Sequence, residues 1–178
     1  MSVVAVVLAA GSSSRLGRPK QEVVYRGETL LQRAVRFASH VADEVIVVSN
    51  TPLILDVRVV VNAHAAEGIA SSIRAGVTAA LDASRLLITL CDQPLVTDVH
   101  LRALLNTRAP IVATGYAGIA GVPAVFSAAY FSDLLALQGD RGARAVIEAH
   151  RDAVTVVPFE GASIDIDTEE DVDKLQRA

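Results

Sequence analysis

The chain has 178 residues, of which 52% are hydrophobic and only 4% aromatic, with a net charge of −4. That length supports one domain over residues 1–178 with a single sizeable core, and the aliphatic bias suits a parallel α/β core. The acidic balance leaves no electrostatic footprint for nucleic acid, the N-terminal apolar run is too short to span a bilayer, and the lone Cys91 permits neither an intrachain disulfide nor a cysteine zinc site, so a cytoplasmic setting without nucleic-acid or membrane partners is expected.

The first predicted element is an apolar strand, Val3 to Leu8. It runs straight into Ala9-Ala10-Gly11-Ser12-Ser13-Ser14-Arg15-Leu16-Gly17-Arg18-Pro19-Lys20, a loop rich in glycine and serine that carries three cations. A strand buried on both faces would deliver this loop to the carboxyl edge of the sheet, where backbone N–H groups approach an anion closely. Five residues separate Gly11 from Gly17 and Arg-Pro follows, so the Walker A spacing fails. Ser13 occupies the second glycine position of a dinucleotide fingerprint, which fails as well.

A helical stripe follows at Leu30, Leu31, Ala34, Val35, Ala38 and Val41, then strands at Glu44 to Ser49 and Val57 to Val61. The segment from Asn62 to Gly76 places small residues at the start of a second helix striped by Ile69, Ile73, Val77 and Leu81, leaving N-terminal donors for a ligand. The strand Leu86 to Leu90 ends in Cys91-Asp92-Gln93-Pro94, which sets a carboxylate at the sheet edge where open α/β folds bind ligands. A helix at Val99 to Leu105 and a strand at Ile111 to Thr114 come next, then a glycine- and alanine-rich loop from Thr114 to Gly121.

A short strand follows at Val122 to Phe126, with Pro123 expected at an edge or a bulge. Helices at Ala128 to Leu137 and Ala143 to His150 and a strand at Val154 to Val157 lead to Asp165-Ile166-Asp167-Thr168. There, alternation puts both aspartates on one side, and Thr168 is placed to cap a final helix. The alternation of strand and helix predicts a three-layer α/β/α fold around a mostly parallel sheet. The four histidines, at positions 40, 64, 100 and 150, have no metal-ligand or triad spacing, and Cys91 reads as a small buried hydrophobe.

The pattern Leu-Ala-Ala-Gly-x-x-x-Arg-x-Gly-x-x-Lys from Leu8 to Lys20 resembles the signature loop of nucleotidyltransferases, and within them it is most similar to the MobA/MocA-like molybdenum cofactor cytidylyltransferases. The resemblance continues in order through Asp92-Gln93-Pro94, the Gly-x-x-x-Ser element near Gly68, Gly121-x-Pro123-x-x-Phe126, Gly139-Asp140-x-Gly142-Ala143-Arg144 and the terminal Asp-x-Asp-Thr motif, where Glu169 stands in the usual proline position. It implies a Rossmann-like nucleotidyltransferase fold and transfer of CMP from CTP to the terminal phosphate of a molybdopterin-type acceptor, with release of pyrophosphate.

The nucleotide would be bound by Leu8, Ala9, Ala10, Gly11, Ser12, Ser13, Ser14, Arg15, Lys20, Gly68, Ser71 and Ser72. The acceptor would be framed by Gly121, Pro123, Gly139, Asp140 and Gly142. Arg15, Lys20 and Asp92 would carry catalysis, and Mg²⁺ would be held by Asp92 and, from the alignment of the motif, by Asp167 in preference to Asp165. Ala10 points to cytidylyl transfer. The alternatives are guanylyl transfer, another phosphorylated acceptor, a non-catalytic protein that delivers the cofactor to a recipient molybdoenzyme, and an oxidoreductase on the same scaffold.

Overall fold

The computed structural model describes residues 2–11 and 15–177. A seven-stranded sheet runs in the order β5-β4-β1-β6-β8-β7-β9. Its strands are β1 (Val3–Ala9), β4 (Glu44–Ser49), β5 (Arg58–Val61), β6 (Arg85–Leu90), β7 (Ile111–Tyr116), β8 (Ile119–Ser127) and β9 (Val154–Pro158). All pairings are parallel except those of β8, which runs against both β6 and β7. The expected mostly parallel sheet is therefore present, with one reversed strand inside it.

Alternate residues of each strand serve opposite layers, as the twofold strand period requires. On β1, Val4, Val6 and Leu8 face helices α2 (Ile69–Ala79), α4 (Phe131–Leu135) and α5 (Arg144–Ala149), whereas Ala5, Val7 and Ala9 face α1 (Leu30–Ser39) and α3 (Asp98–Asn106). Thr29 starts α1 with a reciprocal capping box: its Oγ1 accepts from Gln32 N at 3.1 Å, and its N–H donates to Gln32 Oε1 at 2.9 Å.

Two expectations change, and one resolves. The stretch Thr114 to Gly121 is not a loop: β7 runs to Tyr116 and β8 starts at Ile119, joined by Ala117 and Gly118, both at positive φ as a tight hairpin turn requires. Of the two placements expected for Pro123, the bulge is the one found: the register with β7 shifts there, between Ala113 and Thr114, and β8 is an interior strand; the Val122–Pro123 bond is cis. The helix expected from Ala128 to Leu137 is a 3-10 turn at Ala128–Tyr130 followed by the short α4.

A small hairpin, β2 (Val24–Tyr25) and β3 (Glu28–Thr29), went unforeseen because its strands are two residues long. It seeds a third core of Leu16, Val23, Tyr25 and Leu30 against Ile166, Val172 and Leu175, the last two on α6 (Glu169–Arg177). This satellite core docks the C-terminal segment beside the loop that follows β1. Thr168 and Asp171 cap α6 reciprocally, Asp171 N donating to Thr168 Oγ1 and Thr168 N to Asp171 Oδ2.

Glu28 ties the hairpin to α1 through Arg36 and Arg33. The hydrogen bond from Arg36, against the cost of burial and with Arg33 adding its charge, holds the Glu28 carboxyl below its usual 4.5. The stabilisation it gives is complete above pH 4.5 and is lost as pH falls through the lowered folded value. Glu28→Gln is expected to cost up to about 1 kcal/mol at pH 7 in urea denaturation, and the difference should shrink in acid. A gap between the two proteins that persists unchanged to pH 3 would contradict this account.

Candidate active site

The carboxyl ends of β1 and β6 open into a cleft of about 600 Å³, a size suited to a small-molecule ligand. Leu8, Ala9, Ala10 and Gly11 form its floor, because β1 is central in the sheet and ends there. Arg15, Lys20, Asp92 and Asp167 line one end, and Ala65, Ala66, Gly68, Ile69, Ser72 and Asp140 line the other.

The charged end is assembled from three separate parts of the chain. The Asp92 carbonyl accepts from Ile166 N at 3.0 Å, and Ile166 is fully buried in the satellite core. That bond sets Asp167, the next residue, near Asp92, with Lys20 between them. Lys20 Nζ donates to Asp92 Oδ2 at 3.1 Å and also to Asp167 Oδ1, while Arg15 Nη2 donates to Asp167 Oδ2 at 2.6 Å. Arg18 adds a bidentate pair to Glu169 at 2.7 and 3.0 Å, so the residue in the usual proline position fastens the loop from outside. Asp165 is exposed, and among the described residues it does not line the cleft.

Charge is unevenly satisfied here. Burial pushes the Asp92 carboxyl above the ordinary range; Lys20 opposes this, and the charges of Asp165 and Asp167 reinforce it. Burial pulls the Lys20 ammonium down, but Asp167 and Asp92 outweigh it and hold the group above its usual value. Asp92 Oδ1 is shielded from solvent and has no hydrogen-bond partner among the described residues. An orphaned carboxylate oxygen beside a second carboxylate fits a hard divalent cation. Among the described residues no third His, Cys, Asp or Glu joins them, so nucleotide oxygens and water would supply the remaining positions.

The other end rests on Gly68, whose φ is +105°. A Cβ there would lie 2.4 Å from Gly139 O and 2.5 Å from Asp140 Oδ1, so the start of α2 packs directly on the Gly139–Asp140 turn. Ala70 N donates to Gly139 O at 3.1 Å, and Arg74 Nη1 donates to Leu137 O at 2.6 Å. Asp140 therefore shares the cleft with Gly68 and Ser72. Gly121, Pro123, Gly139 and Gly142 are not among the cleft-lining residues: Gly142 lies by Ile69, and the Tyr116 hydroxyl covers Gly121.

Ser72 lines the cleft, but Ser71 is turned inwards: its hydroxyl donates towards His64 O and Gly68 O and accepts from Asn62 Nδ2 at 2.9 Å. Ser12, Ser13 and Ser14 lie outside the described residues.

Several supporting residues escaped the sequence reading. Asn62 is buried and joins Ser71 to Ser72 across α2, and Gln21 is a buried amide on the cleft wall. Gln93 donates to Val122 O and Ala162 O, tying the Asp92 turn to β8 and to the C-terminal segment. The Thr114 hydroxyl donates to Pro123 O at 2.6 Å, so His100 Nε2 must be the donor in its 2.8 Å bond to Thr114 Oγ1. Burial lowers the pKa of that imidazole. Gln93 stood in the sequence as part of the Asp92-Gln93-Pro94 motif, without a role; the others were marked only by their polarity, and that signal does not say what they hold. Burial, and then the charge of Asp92, keep the Cys91 thiol far above its ordinary value, consistent with a packing role.

A profile of the MobA-like NTP transferase domain matches residues 5–154. The chain is 30% identical to the purine catabolism protein PucB of Bacillus subtilis (strain 168), over 99% of this chain and 97% of that one. It is also 30% identical to the nicotine blue oxidoreductase of Paenarthrobacter nicotinovorans, over 98% and 94%. The crystal structure of Rv0371c from Mycobacterium tuberculosis H37Rv superposes with a TM-score of 0.87 at 30% identity, covering 100% of this chain and 98% of the other. A structure of the same protein in complex with manganese gives 0.82 at 29%, covering 100% of both chains. No helix among the described residues is long and apolar enough to cross a membrane.

Proposed function

The chain belongs to the MobA-like NTP transferase family, and on that premise we propose that it transfers CMP from CTP to the terminal phosphate of a molybdopterin-type acceptor, with release of pyrophosphate. The observation that carries this reading is the convergence of Lys20, Asp92 and Asp167 at one end of the cleft, on the carboxyl edge of β1 and β6. In this reaction an acceptor phosphate oxygen bonds to the α-phosphorus of CTP while the bond from that phosphorus to the bridging oxygen breaks, and the electron pair leaves with pyrophosphate. Such a transfer calls for positioning and neutralisation of charge and needs no protein nucleophile.

In this reading Arg15 and the Gly11 amide hold the β- and γ-phosphates, and Lys20 balances the charge that grows on the leaving group. Mg²⁺ held by Asp92 and Asp167 would neutralise phosphate oxygens when bound; that Rv0371c forms a complex with manganese supports a divalent ion as partner. Gly68 and Ser72 face the nucleoside, with Ala10 at the floor favouring cytosine. Asp140 lies on the cleft wall and would meet the acceptor, Gly139 and Gly142 shape the turn behind it, and Gly121 and Pro123 belong to the bulged strand β8.

Incubation with Mg²⁺, molybdenum cofactor and each of CTP, GTP, ATP and UTP is expected to release pyrophosphate with CTP. Release with GTP alone would overturn the base assignment, and no release with any nucleotide would overturn the transfer to this acceptor. Similarity to an oxidoreductase motivates one further arm. Flavin or nicotinamide absorbance in the purified protein, together with absent pyrophosphate release, would favour that chemistry.

A further inference from the structure

We infer that Lys20 is a counter-ion seated where the divalent cation belongs, so that the protein refuses the free metal and accepts it only together with a triphosphate. This rests on the reading of Asp92 and Asp167 as the metal-holding pair. Lys20 Nζ hydrogen-bonds to both carboxylates, and Arg15 takes the second oxygen of Asp167. Of the four carboxylate oxygens, only Asp92 Oδ1 is left without a partner among the described residues. A free cation arriving at this end would meet one available oxygen and two positive charges already paired with the other three.

A triphosphate changes both terms. Its oxygens offer Lys20 and Arg15 new anionic partners, which frees Asp92 Oδ2 and the Asp167 carboxylate. They also supply the donors that a two-carboxylate site lacks. Metal and Lys20 thus compete for the same oxygens, while metal and nucleotide help each other, and linkage requires that help to be reciprocal. The satellite core fixes Asp167 through buried Ile166, and the Arg18–Glu169 pair keeps the loop attached while Lys20 changes partners.

The test is Mn²⁺ binding by the nucleotide-free protein, followed through the electron paramagnetic resonance signal of unbound Mn²⁺. Lys20→Met is expected to bind Mn²⁺ at least about tenfold more tightly than wild type, whereas Lys20→Arg, which keeps the charge, should stay as weak as wild type. Lys20→Gln provides a second neutral variant should the methionine fail to fold. Adding Asp92→Asn to the neutral variant should abolish the gain. Equal affinity in wild type and the neutral variants would overturn the inference, as would a gain that survives Asp92→Asn. Pyrophosphate release is measured separately, so a protein that transfers CMP but shows no gain on neutralising Lys20 keeps the proposed function and loses this inference.

Discussion

Lys20→Ala is expected to lower turnover at least about a hundredfold in the pyrophosphate-release assay, equivalent to about 2.7 kcal/mol of transition-state stabilisation. The magnitude is that of losing one preorganised charge donor, and two carboxylates hold Lys20 at the cleft end until the triphosphate takes it over. The fall should appear mainly in kcat, because the charge it balances grows during bond breaking. Near-normal turnover would remove Lys20 from the catalytic role. The same variant should not lose its fold, since the satellite core is apolar and does not contain Lys20.

The largest effect on stability is expected at Gly68. Its φ of +105° and ψ of 174° lie in a region that is essentially reserved for glycine, and an added Cβ would lie 2.4 Å from the Gly139 carbonyl. Backbone strain and displacement of the 137–140 turn together should make Gly68→Ala cost roughly 2–5 kcal/mol in urea denaturation. If the turn yields instead, the cost should move to the cleft, because Asp140 sits on that turn and lines the cleft together with Ser72. A Gly68→Ala protein with wild-type stability and wild-type nucleotide affinity would show that the close approach has no consequence.

The two positions differ in how visible they are from sequence. Lys20 closes a spaced motif that starts at Leu8, and a strand followed by glycines and cations already says that an anion binds at the sheet edge. Gly68 is one small residue among many, and nothing local reveals that Gly139, 71 positions later, packs against it. Ser71 and Ser72 make the same point: adjacent hydroxyls look equivalent in sequence, yet the turn of α2 sends one inwards to Asn62, His64 and Gly68 and leaves the other on the cleft wall. The hairpin through Ala117 and Gly118 was hidden because a run of glycine and alanine carries no strand period.

What the sequence determined by itself is the alternation of buried strands and amphipathic helices, the carboxyl-edge placement of Gly11, Lys20 and Asp92, and the capped start of α6. These follow from side-chain periodicity and local hydrogen bonding, which act over a few residues. Only the tertiary structure decided that Asp167 meets Lys20 while Asp165 stays exposed, that Arg18 pairs with Glu169, and that the Gly139–Asp140 turn closes on Gly68. Each of those contacts joins segments more than 70 positions apart. Burying Ile166 and packing α2 against its turn bring them together, because removing apolar surface from water is indifferent to separation along the chain.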